Sequence, residues 1–116
     1  MKNHPKLDLL NQLIQDKVLF IDGAMGTMIQ TYKLNEADYR GEQFLNHHQD
    51  LKGNNDLLVL TKPQIIYDIH TKYLEAGAHI IETNTFNANL LAQEDYHLAP
   101  LVRELNIQAA TLAKKA

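Results

Sequence analysis

The chain of 116 residues has no cysteine. Disulfides, thiolate metal sites and a cysteine nucleophile are therefore excluded within it. It also lacks an excess of positive charge. Eleven Lys and Arg stand against 14 Asp and Glu, giving a net charge of −3 with the two signs mixed along the chain. Without a basic stripe to neutralise phosphates, nucleic acid is not an expected partner. Long apolar runs are missing as well. Asp8, Asn11, Gln12 and Gln15 interrupt the opening segment, so it has no signal-peptide core, and nothing approaches the length of a membrane span. The expectation is a cytoplasmic protein with no membrane partner. Tyr32, Tyr39, Tyr67, Tyr73 and Tyr96 are dispersed and read as packing residues, with no stacking platform for bases.

What is present is ordinary for a small soluble domain: 45% hydrophobic and 22% charged residues, in a length able to bury a core. Leu7, Leu10, Leu13 and Ile14 recur at helical spacing and predict a short amphipathic helix from Lys6 to Gln15. Val18-Leu19-Phe20-Ile21 follows, a continuous apolar run that suits a strand buried on both faces. Lys33 to Asp56 is polar with few periodic apolar positions, and reads as an irregular insertion with room for a short helix between Asn35 and Phe44. Next, Thr61 or Lys62 can cap a helix with Pro63 in its first turn. Ile65, Ile66, Ile69, Tyr73 and Leu74 share one face of it, and Gly77 supplies its stop. His79-Ile80-Ile81-Glu82-Thr83 reads as a second strand. Ala88 to Gln93 looks helical, and Pro100 opens a longer helix carrying Leu101, Val102, Leu105, Ala109, Leu112 and Ala113.

Helix, glycine turn and buried strand in succession predict an α/β fold. About two strand-helix units are present, whereas a closed (β/α)₈ barrel needs eight units and roughly 250 residues. The expected fold is thus the first part of a (β/α)₈ TIM-type barrel, incomplete, with open edges that invite self-association. The chain stops inside a helical pattern, at Lys114-Lys115-Ala116, so truncation is expected, although lysines in a last turn also suit a natural end.

In such folds ligands bind beyond the carboxyl ends of the strands. Asp22-Gly23-Ala24-Met25-Gly26-Thr27 lies there after the first run. The glycines would let the backbone turn sharply and approach a ligand. N–H groups of a helix starting near Gly26 would take a carboxylate, and Asp22 would take an ammonium. A plain strand-to-helix turn capped by Asp22 is the competing explanation. No Gly-Lys-Ser/Thr and no dinucleotide glycine pattern follows, so this is not a phosphate loop. Glu82-Thr83-Asn84-Thr85-Phe86-Asn87 holds the equivalent place after the second run, with hydroxyls, amides and a carboxylate at one rim. Local turn chemistry explains Asn and Thr there equally well.

The histidines suggest little. His47-His48-Gln49-Asp50 lacks metal-ligand spacing and reads as a solvated loop. His70, beside Asp68 and Lys72, is expected at the surface, and His79 and His97 have no evident partner.

These same blocks carry a resemblance. Asp22-Gly23-Ala24-Met25-Gly26-Thr27-Met28-Ile29-Gln30, Asp38-Tyr39-Arg40-Gly41-Glu42, Asp50-Leu51-Lys52-Gly53-Asn54-Asn55-Asp56-Leu57, and Tyr73-Leu74-Glu75-Ala76-Gly77-Ala78 leading into Glu82-Thr83-Asn84-Thr85-Phe86-Asn87-Ala88-Asn89 resemble, in order, the opening of the cobalamin-dependent methionine synthase family. The resemblance runs from about Val18 to the C-terminus. It implies that residues 1–116 are the N-terminal portion of a homocysteine-binding domain. The partners it implies are the remaining barrel and the folate- and cobalamin-binding modules. The implied reaction moves a methyl group from methyltetrahydrofolate through cobalamin to homocysteine, with zinc holding the thiol as thiolate. Family zinc ligands are cysteines, so neither zinc nor cobalamin is expected to bind this chain alone, and the isolated chain is expected to be inactive. The resemblance implies substrate contacts at Asp22, Gly23, Ala24 and Thr83, with Glu82 and Asn84 flanking, all positioning residues rather than catalytic ones. A relative using betaine or S-methylmethionine, and a non-catalytic homocysteine-binding module, are the alternatives.

Overall fold

The structure, a computed structural model, describes residues 4–116. The elements among them are helices: α1 (Pro5–Asp16), α2 (Met25–Thr31), α3 (Glu36–Arg40), α4 (Leu58–Thr61), α5 (Pro63–Glu75), α6 (Leu90–Glu94) and α7 (Val102–Lys115), with 3-10 turns at Asn55–Leu57 and Ala99–Leu101. The expected α/β architecture is overturned. The two apolar runs meet at one isolated parallel bridge, Ile21 to Ile80, and no strand or sheet forms among the described residues. A partial TIM barrel is therefore not the fold of this chain.

The physical reason lies in what those runs face. Val18, Phe20 and Ile21 are 77%, 63% and 58% exposed. A continuous apolar run marks a strand only where neighbours cover both faces and extend its ladder, and two segments alone are marginal. Here the apolar residues that do become buried are helical. Leu57, Leu58 and Val59 are fully enclosed, together with Ile66 and Ile69 of α5 and Leu105 and Ala109 of α7. The run Leu57–Leu60 carries no periodic signature in the sequence. Its short helix nevertheless sits at the centre, against α3, α5 and α7.

Local signals place the helix ends. Pro63 opens α5, where its missing N–H costs no hydrogen bond. Gly77, at φ +107, closes it, with the Gly77 and Ala78 N–H groups returning to the Leu74 and Tyr73 carbonyls. Asn35 and Asp38 form a reciprocal capping box on α3. By contrast α1 buries no residue, and Leu7, Leu9 and Ile14 stay more than half exposed. The radius of gyration, 16.0 Å, exceeds the about 13 Å of a compact chain of roughly this size. The core is one-sided. An apolar face bearing Ile14, Val18 and Ile21 is left open to solvent.

The polar stretch 33–56 is irregular outside α3 and the 3-10 turn, yet closely wired. Arg40 donates to Glu36 at 2.9 Å and to the carbonyls of Phe44, Leu45, His47 and Gln49. Glu36 in turn accepts the Leu51 and Lys52 N–H groups. Partial desolvation pushes the Glu36 carboxyl up, but the hydrogen bonds from Leu51, Lys52 and Arg40 outweigh it and hold the pKa below its ordinary 4.5. The folded state thus favours the ionised form. That stabilisation is complete above pH 4.5 and is lost as pH falls through the lowered pKa. Replacing Glu36 by Ala should cost about 1–3 kcal/mol in urea unfolding at pH 7, the usual range for charge-assisted hydrogen bonds. The deficit should shrink in acid; an equal deficit at pH 7 and pH 3 would contradict this account.

Candidate functional site

Residues 20–22 dock on residues 79–82 through a short set of main-chain bonds. The Asp22 N–H donates to the Ile80 carbonyl at 2.9 Å, and the His79 and Ile80 N–H groups donate to the Phe20 carbonyl at 2.8 and 3.2 Å. His79 contributes its ring as well, with Nδ1 accepting the Phe20 N–H at 3.1 Å. One further bond joins the two turns that follow. The Glu82 N–H donates to Asp22 Oδ1 at 2.9 Å. The segments therefore leave the junction side by side, and their turns face each other.

Between those turns lies a recess of about 230 Å³, lined by Asp22, Gly23, Ala24, Met25 and Gly26 on one side and Glu82, Thr83, Asn84, Thr85 and Phe86 on the other. All six sequence-predicted residues, Asp22, Gly23, Ala24, Glu82, Thr83 and Asn84, are among its walls. Larger hollows lie elsewhere, one of them near α1 where Gln15, Asp16 and Lys17 join Ile14, Val18 and Ile21. The recess is smaller than the roughly 300–1,000 Å³ of sites for drug-sized ligands, which suits an amino acid.

The expected geometry is corrected in two places. The sharp turn is not made by glycine. Ala24 takes the left-handed conformation, φ 49 and ψ 33, while neither Gly23 nor Gly26 has a positive φ. A Cβ at Gly23 or Gly26 would also meet nothing within 4 Å. In addition, α2 begins at Met25 and spans only seven residues, too short to serve as an anion-binding helix end. What remains is a run of separate N–H groups: those of Gly23, Ala24, Met25 and Gly26 donate to no group among the described residues.

The opposite wall is held from behind. Asn84 is buried and spends its amide N–H on the Asn55 carbonyl at 2.8 Å, so it supports the loop more than it offers to the recess. The Asn87 N–H donates to buried Asp56 at 3.0 Å. Asn54 pairs its amide with that of Gln93, which also reaches the Asn87 carbonyl. Three consecutive residues, Asn54, Asn55 and Asp56, thus each grip a different part of residues 84–93. Burial pushes the Asp56 carboxyl above its ordinary value, although hydrogen bonds from Asn87 and its own N–H pull the other way. Thr83 and Thr85 join hydroxyls at 2.8 Å on the open rim.

Histidines diverge from expectation. His70 is fully buried rather than at the surface. The spacing could have shown this, because Ile66, Ile69, His70 and Tyr73 fall on one helical face. His79 and His97 do have partners, Phe20 and Gln49. His47, expected in a solvated loop, is half-buried and bonds the Tyr96 carbonyl at 2.7 Å, while His48 is exposed. Asp56, Asn55 and His70 are the supporting residues that sequence reasoning overlooks.

Among the described residues no three of His, Cys, Asp or Glu come together in a way that could hold a metal ion. With no cysteine in the chain, these residues do not fit a zinc-thiolate site. The recess is also far smaller than a corrin ring would require. No helix of the described residues is long and apolar enough to cross a membrane.

The carboxylates of Asp22 and Glu82, a row of unused N–H groups and two hydroxyls thus line one small hollow. The model of the homocysteine S-methyltransferase family matches residues 19–116, both walls of the recess included, and the chain belongs to that family. Methyl transfer with homocysteine as acceptor is the activity of the class.

The left-handed Ala24 carries a conformational cost of roughly 1–2 kcal/mol that glycine escapes. Ala24→Gly should therefore raise stability by about 0.5–1 kcal/mol after the added chain entropy of glycine is deducted. Urea unfolding measures this, and a destabilised variant would speak against the left-handed turn.

Proposed function

We propose that this chain is the homocysteine-gripping portion of a methionine synthase, in which a methyl group travels from methyltetrahydrofolate through cobalamin to the sulfur of homocysteine. The observation that carries the reading is the meeting of Asp22 and Thr83 at one recess, with the Glu82 N–H fixing the Asp22 carboxylate. Asp22 takes the ammonium of homocysteine, and the free N–H groups of residues 23–26 take its carboxylate. The Thr83 hydroxyl, already oriented by Thr85, orders the rim beside the side chain. Gly23 and Gly26 support the same assignment. Neither the backbone conformation nor the packing of the chain requires them, whereas close approach of a ligand does.

In the transfer itself, the thiol loses its proton and a sulfur lone pair forms the new S–C bond. The methyl-donor bond breaks, and its electron pair leaves with the donor. The residues of this chain hold the far end of the nucleophile and so fix where the sulfur points, a positioning contribution rather than a bond-making one. Zinc and cobalamin, expected of such an enzyme, would be held by polypeptide other than the described residues. By itself the chain is a binding unit and not a competent catalyst. The in-order match of four sequence blocks favours methionine synthase over relatives using betaine or S-methylmethionine, and a cytoplasmic location follows from that assignment.

Calorimetry with L-homocysteine tests the grip. Asp22→Asn should weaken binding at least ten-fold, equivalent to about 1.4 kcal/mol. 4-Mercaptobutyrate, which keeps the thiol and carboxylate but lacks the ammonium, should bind the wild-type chain as poorly as homocysteine binds the variant. Equal affinity of both proteins for homocysteine, or indifference to the missing amino group, would overturn the assignment.

A further inference from the structure

Ten residues line the recess, and the charged members are Asp22 and Glu82, both carboxylates. No Lys, Arg or His is among the ten. The ion pairs of the described residues join Arg40 to Glu36 and Asp50, and Lys62 to Asp38, so none of them neutralises either wall acid. The two acids are also held side by side, because the Glu82 N–H donates to Asp22 Oδ1 at 2.9 Å. Glu82 is exposed, and among the described residues its main-chain N–H makes that bond while its carboxylate makes none. Upkeep of the fold therefore does not account for this side chain. Nor does the head of an amino acid. One ammonium is matched by one carboxylate, that of Asp22, and the ligand carboxylate by the N–H groups of residues 23–26. One negative charge in the recess is left over.

We propose that Glu82 is a specificity-determining residue that rejects amino acids with anionic side chains and so reserves the recess for a neutral, thiol-bearing one. The inference rests on the amino-acid reading of the recess and adds which amino acids it accepts. Contacts to the ammonium and carboxylate cannot supply that choice, since every α-amino acid offers the same two groups. Discrimination then needs an element that disfavours the wrong ligand. A side-chain carboxylate brought into the recess would stand with Glu82 and find no cation on the walls to offset either charge. A hollow of about 230 Å³ is too narrow to hold the two charges beyond the roughly 8 Å over which physiological salt screens them. Homocysteine escapes this repulsion. A free thiol, with a pKa of about 8.5, is mostly neutral at pH 7.

Glutamine and glutamate test the proposal, because both share the two-carbon side chain of homocysteine and they differ from each other in charge. Nitrogen-15 NMR titration, followed at the Gly23 and Gly26 amides, reads even weak binding and reports it at the recess. The wild-type chain should bind L-glutamine at least ten-fold more tightly than L-glutamate, and the preference should narrow at high salt. In Glu82→Gln the two ligands should come within about three-fold of each other. An undiminished preference in Glu82→Gln, with both ligands weakened alike, would make Glu82 a second ammonium contact and overturn the proposal. Should that variant not fold, the salt dependence of the wild-type preference decides, and a preference indifferent to salt would overturn the proposal. L-Homocysteine in the same titration separates the two claims. If it binds while glutamine shows no advantage over glutamate, the charge filter alone falls. If no amino acid shifts the Gly23 and Gly26 signals, the ligand assignment falls and takes the filter with it.

Discussion

The site depends on the parallel junction between residues 20–22 and residues 79–82. Those segments are 57 or more residues apart in sequence, and a short ladder of N–H to carbonyl bonds sets their register, together with the Phe20 N–H on the His79 ring and the Glu82 N–H on Asp22. A one-residue slip would turn Asp22 to the other side of the extended segment and separate it from Thr83. The junction is too short to count as sheet. Its accuracy comes from the elements on either side: α5 and Gly77 deliver residue 79, and the α2 turn begins at once after Asp22. Helical packing thus fixes a site whose walls are loops.

Behind the second wall the structure relies on polar wiring. Glu36 and Arg40 gather the carbonyls and N–H groups of residues 44–52, and Asn54, Asn55 and Asp56 extend that network to residues 84–93. Such a network resists partial occupancy, because each buried group left unpaired costs more than the pair contributes. Buried Asp56 illustrates the point. Its carboxylate is disfavoured by desolvation, yet it is retained where it fixes the Asn87 N–H and with it the loop bearing Thr83 and Thr85.

How much of this could be read from sequence depended on the range of the interaction. Pro63, Gly77 and the Asn35 cap act within one turn and are legible as such. Six of the ten residues lining the recess are legible because acid, glycine, threonine and asparagine cluster immediately after two apolar runs. The fold class was not. Whether 18–21 becomes a strand depends on the neighbours that cover it, and a run of four apolar residues carries no information about neighbours. The same limit hid Leu57–Leu60, whose central position arises from α3, α5 and α7 closing around it. Asp68 and Lys72 beside His70 suggest solvent, whereas its spacing from Ile66 and Tyr73 indicates the interior, where the structure puts it.

Among the described residues Ala24, Lys33 and His97 are the non-glycine residues in left-handed conformations, and of these Ala24 lines the recess. Ala24 stands two residues after Asp22 in a conformation glycine would adopt more easily, with a glycine on either side of Met25 and Ala24 that needs no special conformation. If the turn served only to link a segment to α2, exchanging these residue types would improve it. The arrangement makes sense when the turn must be rigid at Ala24 and unobstructed at Gly23 and Gly26. A strained alanine between two unobstructed glycines is the pattern expected where a turn is shaped for a small ligand rather than for the rest of the chain.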